Sequence, residues 1–213
     1  MPIMFRKIKR KVLGKPTDRS KKYWEKAAKQ DIEKTMWHIC DGYDKKTFDT
    51  KPTGFVNILK KIDLENKIVM DLACGIGRTC KWISPHVKEY VGVDFIPEMI
   101  EKAKSYNSSF ENAKFYVNNG KTLENFKDNS HDVIFCELAF QHMLKHIQKS
   151  YIKEVFRVLK NNGIFYAQIP RIEFYNDDTY ARTKEEVNEL FRDFLITKLN
   201  VSDAYYTIIA EKK

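Results

Sequence analysis

IVMDLACGIGR, residues 68–78, carries an apolar run into an aspartate and then into the glycine pair Gly75-x-Gly77. A buried strand that ends in such a pair leads into a tight turn, where a ligand can approach backbone because no Cβ stands in the way. The next strand-like run, EYVGVDF, ends at Asp94, nineteen residues beyond Gly75. An acid at that spacing accepts the ribose hydroxyl protons of a nucleoside. A nucleoside-containing cofactor is therefore expected. Asp71, just before the loop, would repel a pyrophosphate and suits a ligand with cationic groups. Cys80 also stands where a dinucleotide fingerprint G-x-G-x-x-G has its third glycine.

Outward from this stretch, AKFYVNN, DVIFCEL and GIFYAQIP are further strand candidates. Helical patterns fall between the strands, over Gly77–Pro85, Pro97–Tyr106, Lys121–Phe126 and Met143–Leu159. That alternation predicts βαβ units and a parallel sheet. Beyond it, Thr183-Lys-Glu-Glu186 reads as a capping box opening a helix through about Phe194. LITKLNVS and AYYTIIAEK then predict an antiparallel hairpin. The expected fold is α/β: a Rossmann-like, doubly wound, mostly parallel seven-stranded sheet with a C-terminal antiparallel hairpin and N-terminal helices. Upstream, Ser20–Cys40 reads as one helix capped by Ser20, residues 41–54 as a loop, and the region of Phe55 to Ile62 as a second short helix. The expected organisation is a basic arm over residues 1–19 and one domain over 20–213, with a helical cap at 20–66 and the core at 67–213.

The net charge of +9 is concentrated in the arm. Residues 1–29 hold eleven Lys/Arg and two Asp/Glu, and the other 184 residues hold 27 of each. A neutral body disfavours a large nucleic-acid footprint. Within the arm, Met4, Phe5, Ile8, Val12 and Leu13 recur at helical spacing among basic residues, so residues 1–15 are a candidate peripheral contact to an anionic membrane. The four cysteines form no C-x-x-C, and no apolar run approaches the ~20 residues of a membrane span. A cytoplasmic protein is expected, reaching the inner face of the membrane at most peripherally. Cys74 and Cys80 read as small packing residues. His142 and His146 have metal-like spacing but no evident third ligand, so no metal is expected.

Taken together, these motifs resemble the class I S-adenosylmethionine-dependent methyltransferases from about Ile68 to Pro170. Asp71-Leu-Ala-Cys-Gly-Ile-Gly77 resembles the family's first motif. Asp94 resembles its ribose-binding acid, with Phe95 and Ile96 where the adenine is flanked. Asn119-Gly120 stands where the family often has Asp-Gly at the adenine amine. Ser130–His142 resembles the fourth strand and its turn, and Arg157–Gly163 the R-V-L-K-P-G-G segment, with Asn161-Asn162 for Pro-Gly. The resemblance implies S-adenosyl-L-methionine as cofactor and S-adenosyl-L-homocysteine as product. It implies a binding set of Asp71, Ala73, Gly75, Gly77, Arg78, Asp94, Phe95, Ile96, Met99, Asn119, Gly120, Cys136 and Glu137.

His142 is the candidate catalytic base, with a structural or substrate-orienting role as the alternative, and Glu137 is a second catalytic candidate. Aromatic Tyr23, Trp24, Trp37, Tyr43 and Phe48 are candidates to cover the cofactor, and Arg171–Asp178 to form an acceptor loop. No N/D-P-P-Y/F motif follows the fourth strand, which disfavours the amino-methyltransferases that use it. The segments 119–142 are similar to small methyltransferases of bacterial surface-polysaccharide synthesis. That similarity implies a small-molecule acceptor, a sugar or glycan-precursor hydroxyl. An RNA or protein methyltransferase that docks through the basic arm is one alternative, and a non-catalytic cofactor-binding module is another.

Overall fold

The computed structural model describes residues 18–39, 45–52, 54–59, 62–178 and 180–213. The candidate membrane contact at residues 1–15, Cys40 and Tyr43 lie outside them.

Strands β1 (Ile68–Leu72), β2 (Glu89–Asp94), β3 (Ala113–Val117), β4 (His131–Cys136), β5 (Leu159–Pro170), β6 (Phe194–Val201) and β7 (Tyr205–Lys212) form one sheet in the order β3-β2-β1-β4-β5-β7-β6. The first five run parallel, and β7 is antiparallel to both β5 and β6. The seven-stranded sheet and its reversed hairpin are as expected from the sequence.

Each strand sends alternate residues to opposite faces. On one face Met70, Leu72, Ile134 and Phe165 pack against α7 (Lys145–Val158) and α9 (Lys184–Leu190). On the other, Val69, Tyr90, Phe135 and Tyr166 pack against α4 (Gly54–Leu59), α5 (Cys80–Ile83) and α6 (Pro97–Tyr106). Phe55 of α4 is fully buried, 4.2 Å from the Phe135 ring and 4.5 Å from the Tyr166 ring between centroids. Burial of one such ring contributes about 1.5–3 kcal/mol. A third cluster joins α1 (Asp18–Ala28), α2 (Ile32–Ile39) and α3 (Lys45–Thr50) to Ile76, Ile96 and Met99, placing the N-terminal helices over the carboxyl ends of the strands.

Four local expectations are corrected. The single helix over 20–40 is two helices, and Ser20 lies inside the first. Asp31 Oδ1 accepts the Lys34 N–H at 2.9 Å and starts α2 afresh, as a helix N-cap does. Lys102 of α6 donates to the Gln30 carbonyl and to Thr35 Oγ1, pinning that corner to the core. The loop expected over 41–54 contains α3, because tertiary partners hold it. Phe48 is buried, and Asp49 accepts from Lys45, Lys81 and Tyr106. Residues 121–126 are not helical. Asn119 Oδ1 takes the N–H groups of Lys121 and Thr122 at 2.8 Å, and Glu154 takes that of Leu123 at 2.9 Å. Arg157 of α7 takes the Leu123 carbonyl at 3.0 Å and the Phe126 carbonyl at 2.8 Å, so partners on α7 hold the segment as an irregular loop. Finally, the capping box at Thr183 and Glu186 is present, but its helix ends at Leu190 and Phe194 already opens β6.

Candidate active site

The strand order reverses beside β1, whose neighbours are β2 and β4, so the crevice outside their carboxyl ends is where an open α/β sheet takes a ligand. The loop after β1 bends through three left-handed residues, Ala73 (φ 64°), Gly75 (φ 56°) and Gly77 (φ 70°). A Cβ at Gly77 would lie 2.7 Å from both Asn107 Nδ2 and Phe115 Cε1, so glycine is required there by space as well as by φ.

Asp94 anchors this loop. One carboxylate oxygen accepts the Gly75 N–H and the other the Ile96 N–H, each at 3.0 Å. A carboxylate has about four lone-pair sites, so each oxygen keeps one for a ribose hydroxyl. Burial pushes the Asp94 carboxyl up to about 6, against those backbone N–H groups.

Asp71 is the last residue but one of β1, beneath the loop, and is 5% exposed. Its Oδ2 accepts from Thr79 Oγ1 and, at 2.6 Å, from the Tyr90 hydroxyl, and those two hydroxyls are 2.9 Å apart. Burial raises the Asp71 carboxyl to about 7 despite both donors, and the charges of Glu137 and Asp94 raise it further. Three acids therefore face one another around a glycine loop. A pyrophosphate would add negative charge to that field, whereas an ammonium and a sulfonium relieve it. The residues present fit S-adenosylmethionine.

The remaining expected binding residues divide by what they touch. Phe95 lies against Gly120, whose added Cβ would meet Phe95 Cβ at 3.3 Å, and Gly120 is itself left-handed at φ 75°. Ile96 and Met99 are buried in the cluster under α1 and α2. Arg78 turns to the N-terminal helices, donating to the Lys51 carbonyl at 2.8 Å and lying over the Phe48 ring at 5.1 Å. The Asn119 oxygen, expected at an adenine amine, is engaged by two backbone N–H groups of its own turn. Cys74, Cys80 and Cys136 are buried, and burial raises all three thiols, that of Cys80 to about 12. Their environment suits packing rather than nucleophilic attack. Among the described residues no three His, Cys, Asp or Glu side chains gather as a metal set.

On the acceptor side, Glu137 follows β4, and its Oε1 accepts the Phe55 N–H at 3.3 Å at the start of α4. Leu138 is left-handed (φ 54°), and its N–H donates to Gln168 of β5 at 3.2 Å. His142 closes a short 3-10 turn, Phe140–His142, and stands edge-on to Trp24 of α1 at 5.2 Å between ring centroids. Tyr23 continues this aromatic roof, its hydroxyl 2.8 Å from His38 Nδ1. The Arg171–Asp178 segment opens with a short helix, α8 (Ile172–Tyr175). Thr79, Tyr90 and Gln168 escaped the sequence reading. Tyr90 and Gln168 are defined by partners 19 and 30 residues away, and Thr79 by the Asp71 carboxylate across the glycine loop.

Fold and site together define a Rossmann-like domain for a nucleoside ligand with cationic groups. Residues 70–167 match the model of the "Methyltransferase domain" family. The uncharacterized methyltransferase YcgJ of Bacillus subtilis is 38% identical over 99 residues, 46% of this chain and 38% of YcgJ. The 23S rRNA (uracil(1939)-C(5))-methyltransferase RlmD of Francisella tularensis is 30% identical over 123 residues, 57% of this chain and 25% of RlmD. A solved S-adenosylmethionine-dependent methyltransferase from Aquifex aeolicus superposes with a TM-score of 0.64 at 16% identity, over 85% of this chain and 98% of that one. Residues 70–167 of this chain are therefore a methyltransferase domain, on the fold of the class I S-adenosylmethionine-dependent enzymes. The chain spans well under half the length of these two sequence relatives. No described helix is long and apolar enough to cross a membrane.

Proposed function

We propose that this protein transfers a methyl group from S-adenosylmethionine to a small-molecule acceptor, a sugar or glycan-precursor hydroxyl. The observation that carries the reading is the acceptor side of the crevice. His142 is held edge-on to Trp24 beneath an aromatic roof whose helices are nearly neutral. Residues 18–39 hold six Lys/Arg and four Asp/Glu, and Lys21 and Lys34 already face Glu25 and Asp31. Aromatic edges with imidazole and hydroxyl groups suit a neutral, hydroxyl-rich molecule.

When bound, the cofactor supplies an electrophilic methyl on a sulfonium. Asp94 holds the ribose hydroxyls, the 73–77 loop offers backbone to the amino-acid end, and Asp71 and Glu137 supply the negative field. The α1–α2 roof excludes water and aligns the acceptor for in-line attack. A sugar hydroxyl needs a base, and His142 takes its proton. Glu137, with one oxygen on the Phe55 N–H, holds α4 against the site as well as charging it.

The test is transfer of labelled methyl from the cofactor to nucleotide sugars and glycan fragments, with RNA and peptide in parallel. Label in the saccharides, lost in His142→Ala, supports the reading. Label in RNA or peptide alone refutes it. The RNA outcome has its own support in the similarity to RlmD and in exposed Lys22 and Lys26 on α1 and Lys29 just after it. In that case, removal of residues 1–17 abolishes activity and its salt dependence.

A further inference from the structure

Gln148 occupies the core-facing stripe of α7, with Tyr151, Ile152, Val155 and Val158, and is fully buried. An apolar side chain is the ordinary occupant of such a stripe. Here the amide is saturated instead. Its Nε2 donates to the carbonyls of Phe140 and Met143, each at 3.0 Å, and of Tyr180 at 2.6 Å. Its Oε1 accepts from Arg182 Nε at 2.7 Å. Arg182, also buried, donates in addition to the Lys145 carbonyl at 2.9 Å. The Arg182 backbone is bonded on both sides to the end of β5, its N–H to the Pro170 carbonyl and its carbonyl to the Ile172 N–H.

One buried amide thus grips both ends of the turn that carries Gln141 and His142, and ties them to the segment that returns along β5. The cofactor loop at 71–79 and the Asp94 carboxylate take no part in these bonds.

We propose that Gln148, backed by Arg182, is a positioning residue that fixes His142 and locks its turn to the 171–181 loop, so that the two walls of the acceptor side hold one geometry. The proposal rests on the reading of His142 as the acceptor-side base. A polar residue is needed at 148 because a Leu or Met would take the amide donor away from the Met143 and Tyr180 carbonyls, leave the Phe140 carbonyl with the Met143 N–H alone, and release the turn.

The experiment uses the full chain with S-adenosylhomocysteine and two variants. Gln148→Glu keeps the size and the Arg182 partner but removes the amide donors. Arg182→Lys keeps the charge but loses the fork that reaches both Gln148 and Lys145. Imidazole ¹⁵N–¹H spectra are recorded, with His142 assigned by its loss in His142→Asn. The His142 signals are expected to shift or broaden in both variants, and less in Arg182→Lys. His86 and His131 stay in place, and the S-adenosylhomocysteine Kd stays within threefold.

Unchanged His142 signals alongside a lowered melting temperature would overturn the proposal, since Gln148 would then be packing alone. So would a joint shift of all three histidines with loss of ligand binding, which marks a global change. Should Gln148→Glu fail to fold, Arg182→Lys decides on the same criteria. If no saccharide is methylated yet His142 moves as expected, the proposed acceptor falls and the coupling stands.

Discussion

Replacing Tyr90 by Phe isolates the buried Asp71 site, and its cost depends on pH. The Tyr90 hydroxyl donates to Asp71 at 2.6 Å, and burial holds the Asp71 carboxyl at about 7 against an ordinary 3.8. The folded protein therefore binds this proton more tightly than the unfolded chain does. The group adds stability as pH falls from about 7 toward about 4, and above pH 7 it opposes folding. About three pKa units at 1.36 kcal/mol each set an upper scale of about 4 kcal/mol. Asp94, raised to about 6, acts in the same direction.

At pH 8 Asp71 is mostly ionised, and Tyr90→Phe removes a hydrogen bond to a charged group, costing about 1.5–3 kcal/mol. At pH 5 the acid is neutral, and the same change costs about 0.5–1.5 kcal/mol. The assay is urea unfolding of both proteins at pH 5 and pH 8 at constant ionic strength, read as midpoint times slope. The wild type should be the more stable at pH 5 so far as this site decides, and the cost of the variant should roughly double at pH 8. An equal cost at both pH values, or a larger one at pH 5, would refute the assignment of a neutral-range proton to Asp71.

Asp94→Asn should abolish calorimetric binding of S-adenosylhomocysteine and cost about 1–3 kcal/mol, because the new NH₂ faces one of the two backbone N–H groups that the carboxylate now accepts. In the wild type, that binding should strengthen from pH 5 to pH 8, as the Asp94 and Asp71 carboxyls ionise toward the ligand's ribose hydroxyls and its ammonium. Ala73→Gly should raise stability by roughly 0.5–1 kcal/mol in chemical denaturation, since it relieves about 1–2 kcal/mol of left-handed strain and adds back about 0.4–1 kcal/mol of unfolded-chain entropy. Gly77→Ala should lower the melting temperature and weaken S-adenosylhomocysteine binding together, because its Cβ meets Phe115 and Asn107 at 2.7 Å in a left-handed residue; an unchanged melting temperature would count against the close approach.

The parts of this molecule that the sequence determined by itself are those written in short-range order. The apolar run into Asp71, the glycine pair, the five parallel strands and the Thr183 capping box each follow from residues a few positions apart, and Asp94 from its fixed spacing after the glycine loop. Their periodicity and turn chemistry act locally, so strand existence, the crevice and the cofactor class were legible. The tertiary structure alone decided the rest. It split the N-terminal helix at Asp31, built α3 from a loop-like stretch, unwound 121–126, and turned the Asn119 oxygen into its own loop. It also brought Tyr90 to Asp71, Trp24 to His142 and Arg182 to Gln148. The physical reason is that partners 19, 118 and 34 residues apart are chosen by where the packed sheet and helices bring side chains together, which no hydrophobic period or turn motif encodes; buried Asp71 and Gln148 take the partners that this packing supplies.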